Sequence, residues 1–210
     1  MFPGVTSSAN PKSLPATKQK LLDAAEPLMI QNGYVATTVD DICAAAEVTK
    51  GAFFYHFASK EVLARELLER FMCRQGEMLA GSCCGQGDPL DRVFALLDCV
   101  AQAVRQCDAA GCLVGAFAQE LSESHPELRT LCNMGFQHTQ KMMSEMLEAA
   151  RVQHVPEAQI DIDGLAEQFV GQIQGAMLLV KASGDRGVME RSLGHYRRYL
   201  ELLFRTGDEA

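Results

Sequence analysis

The sequence predicts an all-α chain, a small N-terminal helix-turn-helix domain leading into a larger helical domain. Two observations carry this expectation. Three helix starts, each with its own capping hydroxyl, are stacked within TTVDDICAAAEVTKGAFFYHFASKE, residues 37–61. Beyond residue 60, apolar side chains recur at three- and four-residue spacing in one segment after another, with glycine, proline and aspartate at the breaks. Together they divide the chain into an arm at 1–15, a helix-turn-helix domain at 16–60 and a second domain at 61–210.

Residues 1–15 mix proline, glycine, serine and asparagine without apolar periodicity, the composition of a disordered arm. Lys12, followed by Lys18 and Lys20, could touch a nucleic-acid backbone or simply stay solvated. Helix 1 is expected over residues 16–31, with Leu21, Leu22, Ala25, Leu28 and Met29 as its buried stripe. Pro27 inside it predicts a bend or a weakened turn, because it removes one N–H and clashes with the preceding turn. Asn32-Gly33 supplies the stop, and Tyr34 fits a packing role against the helix-turn-helix.

Thr38 then sits as N-cap before Val39, Ile42 and Ala45 or Ala46, with Asp41 as the acid of a capping box. Ala46-Glu47-Val48 closes that run. Thr49 caps a second short helix from Lys50, and Ser59 caps a long one from Lys60. Two short helices around a tight turn, followed by a third capped start, have the layout of a helix-turn-helix. In the second helix Phe53 and Phe57 lie four apart and bury one side. Thr49, Lys50, Tyr55 and His56, with Lys60 beyond, offer hydroxyl, ammonium, phenol and imidazole groups suited to phosphates and major-groove edges. Gly51 leaves room at the helix start, where free N–H groups can meet a phosphate. Spacing alone leaves an ordinary polar helix surface equally open.

Thr38, Ile42, the Ala44-Ala45-Ala46 run, Val48, Lys50-Gly51, the block 53–57 and Ser59-Lys60-Glu61 resemble the DNA-binding signature of the TetR family of bacterial transcription regulators. The likeness is dense over residues 16–65 and rests on helical layout beyond them. It implies a homodimeric repressor that binds a near-palindromic double-stranded operator and is released by a small molecule. It also implies that Thr38 meets a backbone phosphate. Where the family usually has tyrosine this chain has Phe54, so one phosphate-seeking hydroxyl is missing and Tyr55 and His56 must supply the polar contacts. Activation of genes by the same reader is an alternative output.

Helix 4 is expected over residues 60–79 through Leu63, Leu67, Leu68, Phe71 and Met72; in a repressor of this type its tilt would move the recognition helix. Residues 81–87 (GSCCGQG) form a break. Helix 5 comes next at 88–107, with Pro89 in its first turn and Val93, Leu96, Leu97 and Val100 inward. The phrase GCLVGAFAQELSESHPELR, residues 111–129, resembles a TetR subgroup that responds to electrophiles, oxidants or apolar compounds. Helix 7 begins near Pro126, supported by Glu127 at the positive end of the dipole, and extends to about residue 151. Ten methionines in the chain suit a cavity that repacks around varied apolar ligands, although each could equally be core filling. The ligand-binding candidates are Phe94, Leu97, Cys112, Phe117, Met134, Phe136, Phe169 and Ile173, and the effector implied is a small apolar or electrophilic compound.

Asp161 can cap helix 8, expected over residues 162–182, in which Gly171 and Gly175 lie four apart and permit close backbone approach. A turn at 184–187, with Asp185 as cap, leads to helix 9 at 188–204. Paired across a two-fold axis, these two helices would make a four-helix bundle, with Phe169, Ile173, Leu193, Tyr196 and Leu200 as candidate interface residues; satisfaction within one subunit is the alternative.

Composition narrows the function classes. The net charge is −8, yet residues 1–60 hold five lysines against five acids, so the acid lies away from the proposed reader. Weak non-specific DNA binding is expected, with affinity coming from two readers acting together. No apolar run of about 18 residues exists and no signal-peptide pattern opens the chain, so a cytoplasmic protein without membrane contact is expected. The eight cysteines then read mostly as free thiols. Cys112, beside a glycine at a helix start, with Cys107 and Cys99 before it, forms a possible redox or electrophile sensor; a buried, inert Cys112 is the alternative. No metal-ligand spacing, nucleophile elbow or nucleotide loop is present, and Glu120, Glu123, His125 and Glu127 merely straddle a turn. Neither an enzyme nor a metal or other cofactor is expected.

Overall fold

In the computed structural model the described residues are 14–83, 87–106 and 111–204, and all regular structure among them is helical. The elements in chain order are α1 (Ala16–Asn32), α2 (Val39–Ala45), α3 (Lys50–His56), α4 (Lys60–Cys83), α5 (Pro89–Gln106), α6 (Leu113–Leu121), α7 (Pro126–His154), α8 (Ile162–Ser183) and α9 (Gly187–Phe204). They fall into two compact units. One takes Met1–Phe71 together with Leu113–Asn133; the other takes Met72–Cys112 and Met134–Ala210. The units therefore do not part at a single point near residue 60, because α6 and the start of α7 join the N-terminal helices. The arm expected at 1–15, including Lys12, lies almost wholly outside the described residues.

In the first unit α1 packs against α2, α3 and α6. Its stripe holds Leu21, Leu22, Ala25 and Met29 at 0% exposure. α1 continues through Pro27, which sits on its exposed side, and ends at Gly33, whose φ of +87° is open to glycine and strained for other residues. All three expected caps are made. Thr38 Oγ1 accepts from Asp41 N at 3.1 Å while Asp41 Oδ2 accepts from Thr38 N at 2.9 Å, a complete capping box. Thr49 Oγ1 accepts from Ala52 N and Ser59 Oγ from Val62 N, both at 3.2 Å. Between α2 and α3 the chain turns through Glu47, whose φ is +54°.

The second unit centres on α5, α8 and α9, with α9 packed against both others. Asp161 Oδ1 accepts from Gly164 N at 2.9 Å, Gly184 closes α8 in the left-handed conformation, and Asp185 Oδ1 accepts from Gly187 N at 2.9 Å. The Tyr196 hydroxyl, buried in the core, donates to Leu165 O at 2.8 Å and so ties α9 to α8. Asp88 caps α5 by accepting from Leu90 N at 2.8 Å, and its carboxylate also meets His154 at the end of α7. Burial works against its ionisation, but the His154 bond and the two N–H groups outweigh it and hold its pKa below the usual aspartate value.

The expected interface residues require correction. Phe169 and Leu200 are 0% exposed, Tyr196 1% and Leu193 2%, and Ile173 packs against the same core, so these side chains serve their own subunit. The strongest apolar stripe of an amphipathic helix faces the nearest core. The outward side of α8 presents Gly171, Gly175, Leu178 and Leu179, and that of α9 presents Gly194, Tyr199 and Leu202.

Candidate nucleic-acid interface

α3 carries the features a DNA reader needs. Its inner side is fixed by Phe53, fully buried, and by the following Phe57, whose ring lies 5.8 Å from that of Phe53. Its outer side presents Lys50, Gly51, Phe54 and Tyr55, the last 84% exposed, with His56 set edge-on to the Tyr55 ring at 4.9 Å. Thr49 is exposed at the N-cap, its side chain already committed to the helix. Thr38 is exposed too, and its hydroxyl donates to Asp41 Oδ2 at 2.6 Å, so a phosphate there would compete with the capping acid.

Two features of this surface are not foreshadowed by the sequence. Lys50 Nζ pairs with Asp40 Oδ1 at 2.7 Å, joining the first turn of α2 to the first turn of α3. The hydrogen bond to Asp40, and then its charge, raises the Lys50 pKa. Lys60, expected among the DNA contacts, turns inward instead: its Nζ donates to Tyr34 O and Thr37 O at 2.8 Å each and lies 4.2 Å from the Tyr34 ring centroid. Burial lowers its pKa, as it would for any ammonium drawn out of water. Its charge is spent on the turn ahead of α2, since two carbonyls aim at the position where α4 begins.

That turn also binds a residue the sequence placed in no functional role. Glu120 of α6 accepts from Tyr34 N at 2.7 Å and from Val35 N at 2.8 Å. A glycine at the end of α1 and a tyrosine after it are visible in the sequence, but nothing in the spacing points to an acid 86 residues later.

The ligand-binding candidates do not come together as one set. Phe94, Leu97 and Phe169 share the core of the second unit, with Phe136 and Ile173 packed against it. Phe117 belongs to the first unit, fully buried with its ring edge-on to Tyr34 at 5.8 Å, because the short α6 faces the N-terminal helices. Met134 and Cys112 are half-buried. Of the possible sensor thiols, Cys99 and Cys112 are half-buried, while Cys107 lies outside the described residues.

This geometry agrees with what comparison with known proteins finds. The family model described as bacterial regulatory proteins, tetR family, matches residues 21–67, and that described as tetracyclin repressor-like, C-terminal domain, matches residues 89–196. The chain belongs to the TetR family. The HTH-type transcriptional repressor DhaR of Mycobacterium sp. (strain GP1) is 28% identical over 176 residues, spanning 84% of this chain and 88% of that relative. The HTH-type transcriptional repressor NemR of Escherichia coli (strain K12) is 26% identical over 189 residues, spanning 88% of this chain and 94% of that one. The crystal structure of reduced E. coli NemR superposes with a TM-score of 0.75 at 26% identity, covering 88% of this chain and 96% of that chain. A TetR-family regulator from Agrobacterium tumefaciens, 20% identical, shares the fold at a TM-score of 0.80 over 88% of this chain and 97% of its own. TetR-family regulators bind DNA operators and act as dimers. Among the described residues no helix is long and apolar enough to cross a membrane.

Proposed function

We propose that this TetR-family chain is a cytoplasmic repressor that pairs through α8 and α9 and lays two copies of α3 in successive major grooves of a near-palindromic operator. The observation that carries the reading is the doubly capped α2–α3 pair with Lys50, Phe54, Tyr55 and His56 on the side away from its core. Phe54 suits apolar contact with a thymine methyl, while Lys50 and Tyr55 suit phosphates. For pairing, the support is the unburied side of the α8–α9 hairpin, with Leu178 at 55% and Leu179 at 58% exposure beside glycines that admit close approach. Release is assigned to a small apolar or electrophilic effector held among Phe94, Leu97, Phe136, Phe169 and Ile173. There the methionines of α7, with Met142 and Met146 at the core, permit repacking. The effector acts only by binding the released geometry more tightly than the operator-bound one. Nothing in this reading calls for catalysis or a cofactor.

The test is selection of bound duplexes from a random pool by the purified protein. A recovered palindrome and its half-site spacing report the dimer geometry directly. Lys50→Ala and Tyr55→Ala should each weaken binding to that duplex by about tenfold, and unchanged affinity in both would remove α3 as the reader.

A further inference from the structure

α1 ends at Gly33 and α2 begins after Thr38, so the turn between them sets where the reader helices start. Four of its main-chain groups are held by two charged side chains. Glu120 accepts from the N–H groups of Tyr34 and Val35, at 2.7 and 2.8 Å, and Lys60 donates to the carbonyls of Tyr34 and Thr37. Thr37, the buried polar side chain of this segment, donates from its hydroxyl to Gly33 O at 2.7 Å. The Tyr34 ring is wedged edge-on between Phe117 of α6, at 5.8 Å, and His125 of the α6–α7 turn, at 5.4 Å. Gly33 completes the fit: a Cβ there would stand 2.7 Å from Glu120 Oε2, so the carboxylate occupies the space the missing side chain leaves.

Two adjacent N–H groups taken by the two oxygens of one carboxylate fix direction as well as distance, and hydrogen bonds to a charged acceptor are the stronger kind. Displacing α6 by an ångström or two would stretch both bonds beyond use and leave two turn amides unsatisfied. The chain on either side of this segment passes into the second unit, at Cys112 and at Met134, so α6 is the piece of the reader unit bracketed by the effector-binding half.

We propose that Glu120 is a positioning residue for DNA reading. Its carboxylate fixes the turn ahead of Thr38, and with it the N-cap of α2, which gives α6 a line to the reader that does not run along α4. The proposal rests on the DNA-reading function above.

The test uses the full-length protein and the duplex that the wild type selects from a random pool, with Glu120→Gln and Glu120→Ala. Glu120→Ala should bind that duplex about tenfold or more weakly, the scale of one or two lost positioning hydrogen bonds. Its low-salt binding to an unrelated duplex should change by less than about twofold, because the phosphate-seeking groups remain. Glu120→Gln, with one acceptor oxygen left, should fall between. Hydrogen exchange at the Tyr34 and Val35 amides should quicken in both variants. Far below the melting temperature nearly every molecule is folded, so a residue that served stability alone would lower melting and leave selected-duplex affinity unchanged. That result would overturn the proposal, as would unaltered exchange at the two amides. If Glu120→Ala does not fold, the isosteric Glu120→Gln carries the test; if neither folds, the clamp is a stability element and the proposal is wrong. A wild type that selects no duplex would instead refute the DNA reading, and this inference would fall with it.

Discussion

Glu47 holds a φ of +54° at the turn between α2 and α3, a conformation in which a Cβ crowds its own carbonyl. Relief of that strain exceeds the added freedom of an unfolded glycine, so Glu47→Gly should stabilise the protein by about 0.5–1 kcal/mol in urea unfolding. Thr38 shows the opposite case, a residue already well suited to its place. Replacing it by alanine should destabilise by about 1 kcal/mol near neutral pH. The pH dependence of that difference comes from Asp41, whose carboxyl is held below its ordinary value of 3.8 by the Thr38 hydroxyl and then the Thr38 N–H. A depressed carboxyl stabilises the fold above its unfolded pKa, and the contribution disappears as the pH falls through the lower folded value. The gap between wild type and Thr38→Ala should therefore shrink below about pH 4, measured by unfolding midpoints across an acid series. The caps at Thr38, Thr49 and Ser59 were legible because capping is local: cap and N–H lie within three residues of each other.

Within elements, periodicity identified the helices and their inward stripes, yet stripes alone did not say which core each one meets. Phe117 looked like one more aromatic for the large domain and lies instead beside Tyr34, because α6 is short and packs on α1. The same limit holds for the interface candidates on α8 and α9: Phe169, Leu193, Tyr196 and Leu200 are buried within their own subunit, while Leu178, Tyr199 and Leu202 lie on the outer side. Lys60 and Glu120 were illegible for another reason, since their partners are backbone groups brought near by tertiary packing. Between α2 and α3, Asp40 pairs with the Lys50 ammonium proposed above to meet a phosphate. Asp40→Asn should free that ammonium and remove a carboxylate from the DNA-facing side. Affinity should rise about two- to fivefold, in proportion for selected and unrelated duplexes, since an exposed ion pair is a weak competitor. Fluorescence titrations over a range of salt concentrations would check this, and a weaker-binding Asp40→Asn would mean that Asp40 itself serves the contact.

For the whole molecule, the net charge of −8 makes long-range attraction to DNA poor, so affinity depends on two readers held at a fixed spacing. Leu178→Glu, on the outer side of α8, should leave helicity unchanged and shift sedimentation from dimer to monomer. Operator affinity should then fall by well over about tenfold, because the second half-site no longer adds to the first. The composition of the first compact unit also bears on how the protein is made. A ribosome delivers residues 1–71 long before 113–133, so the α1–α2 turn must wait for Phe117 and Glu120 to emerge. Prematurely terminated chains that stop short of α6 would lack both contacts to that turn.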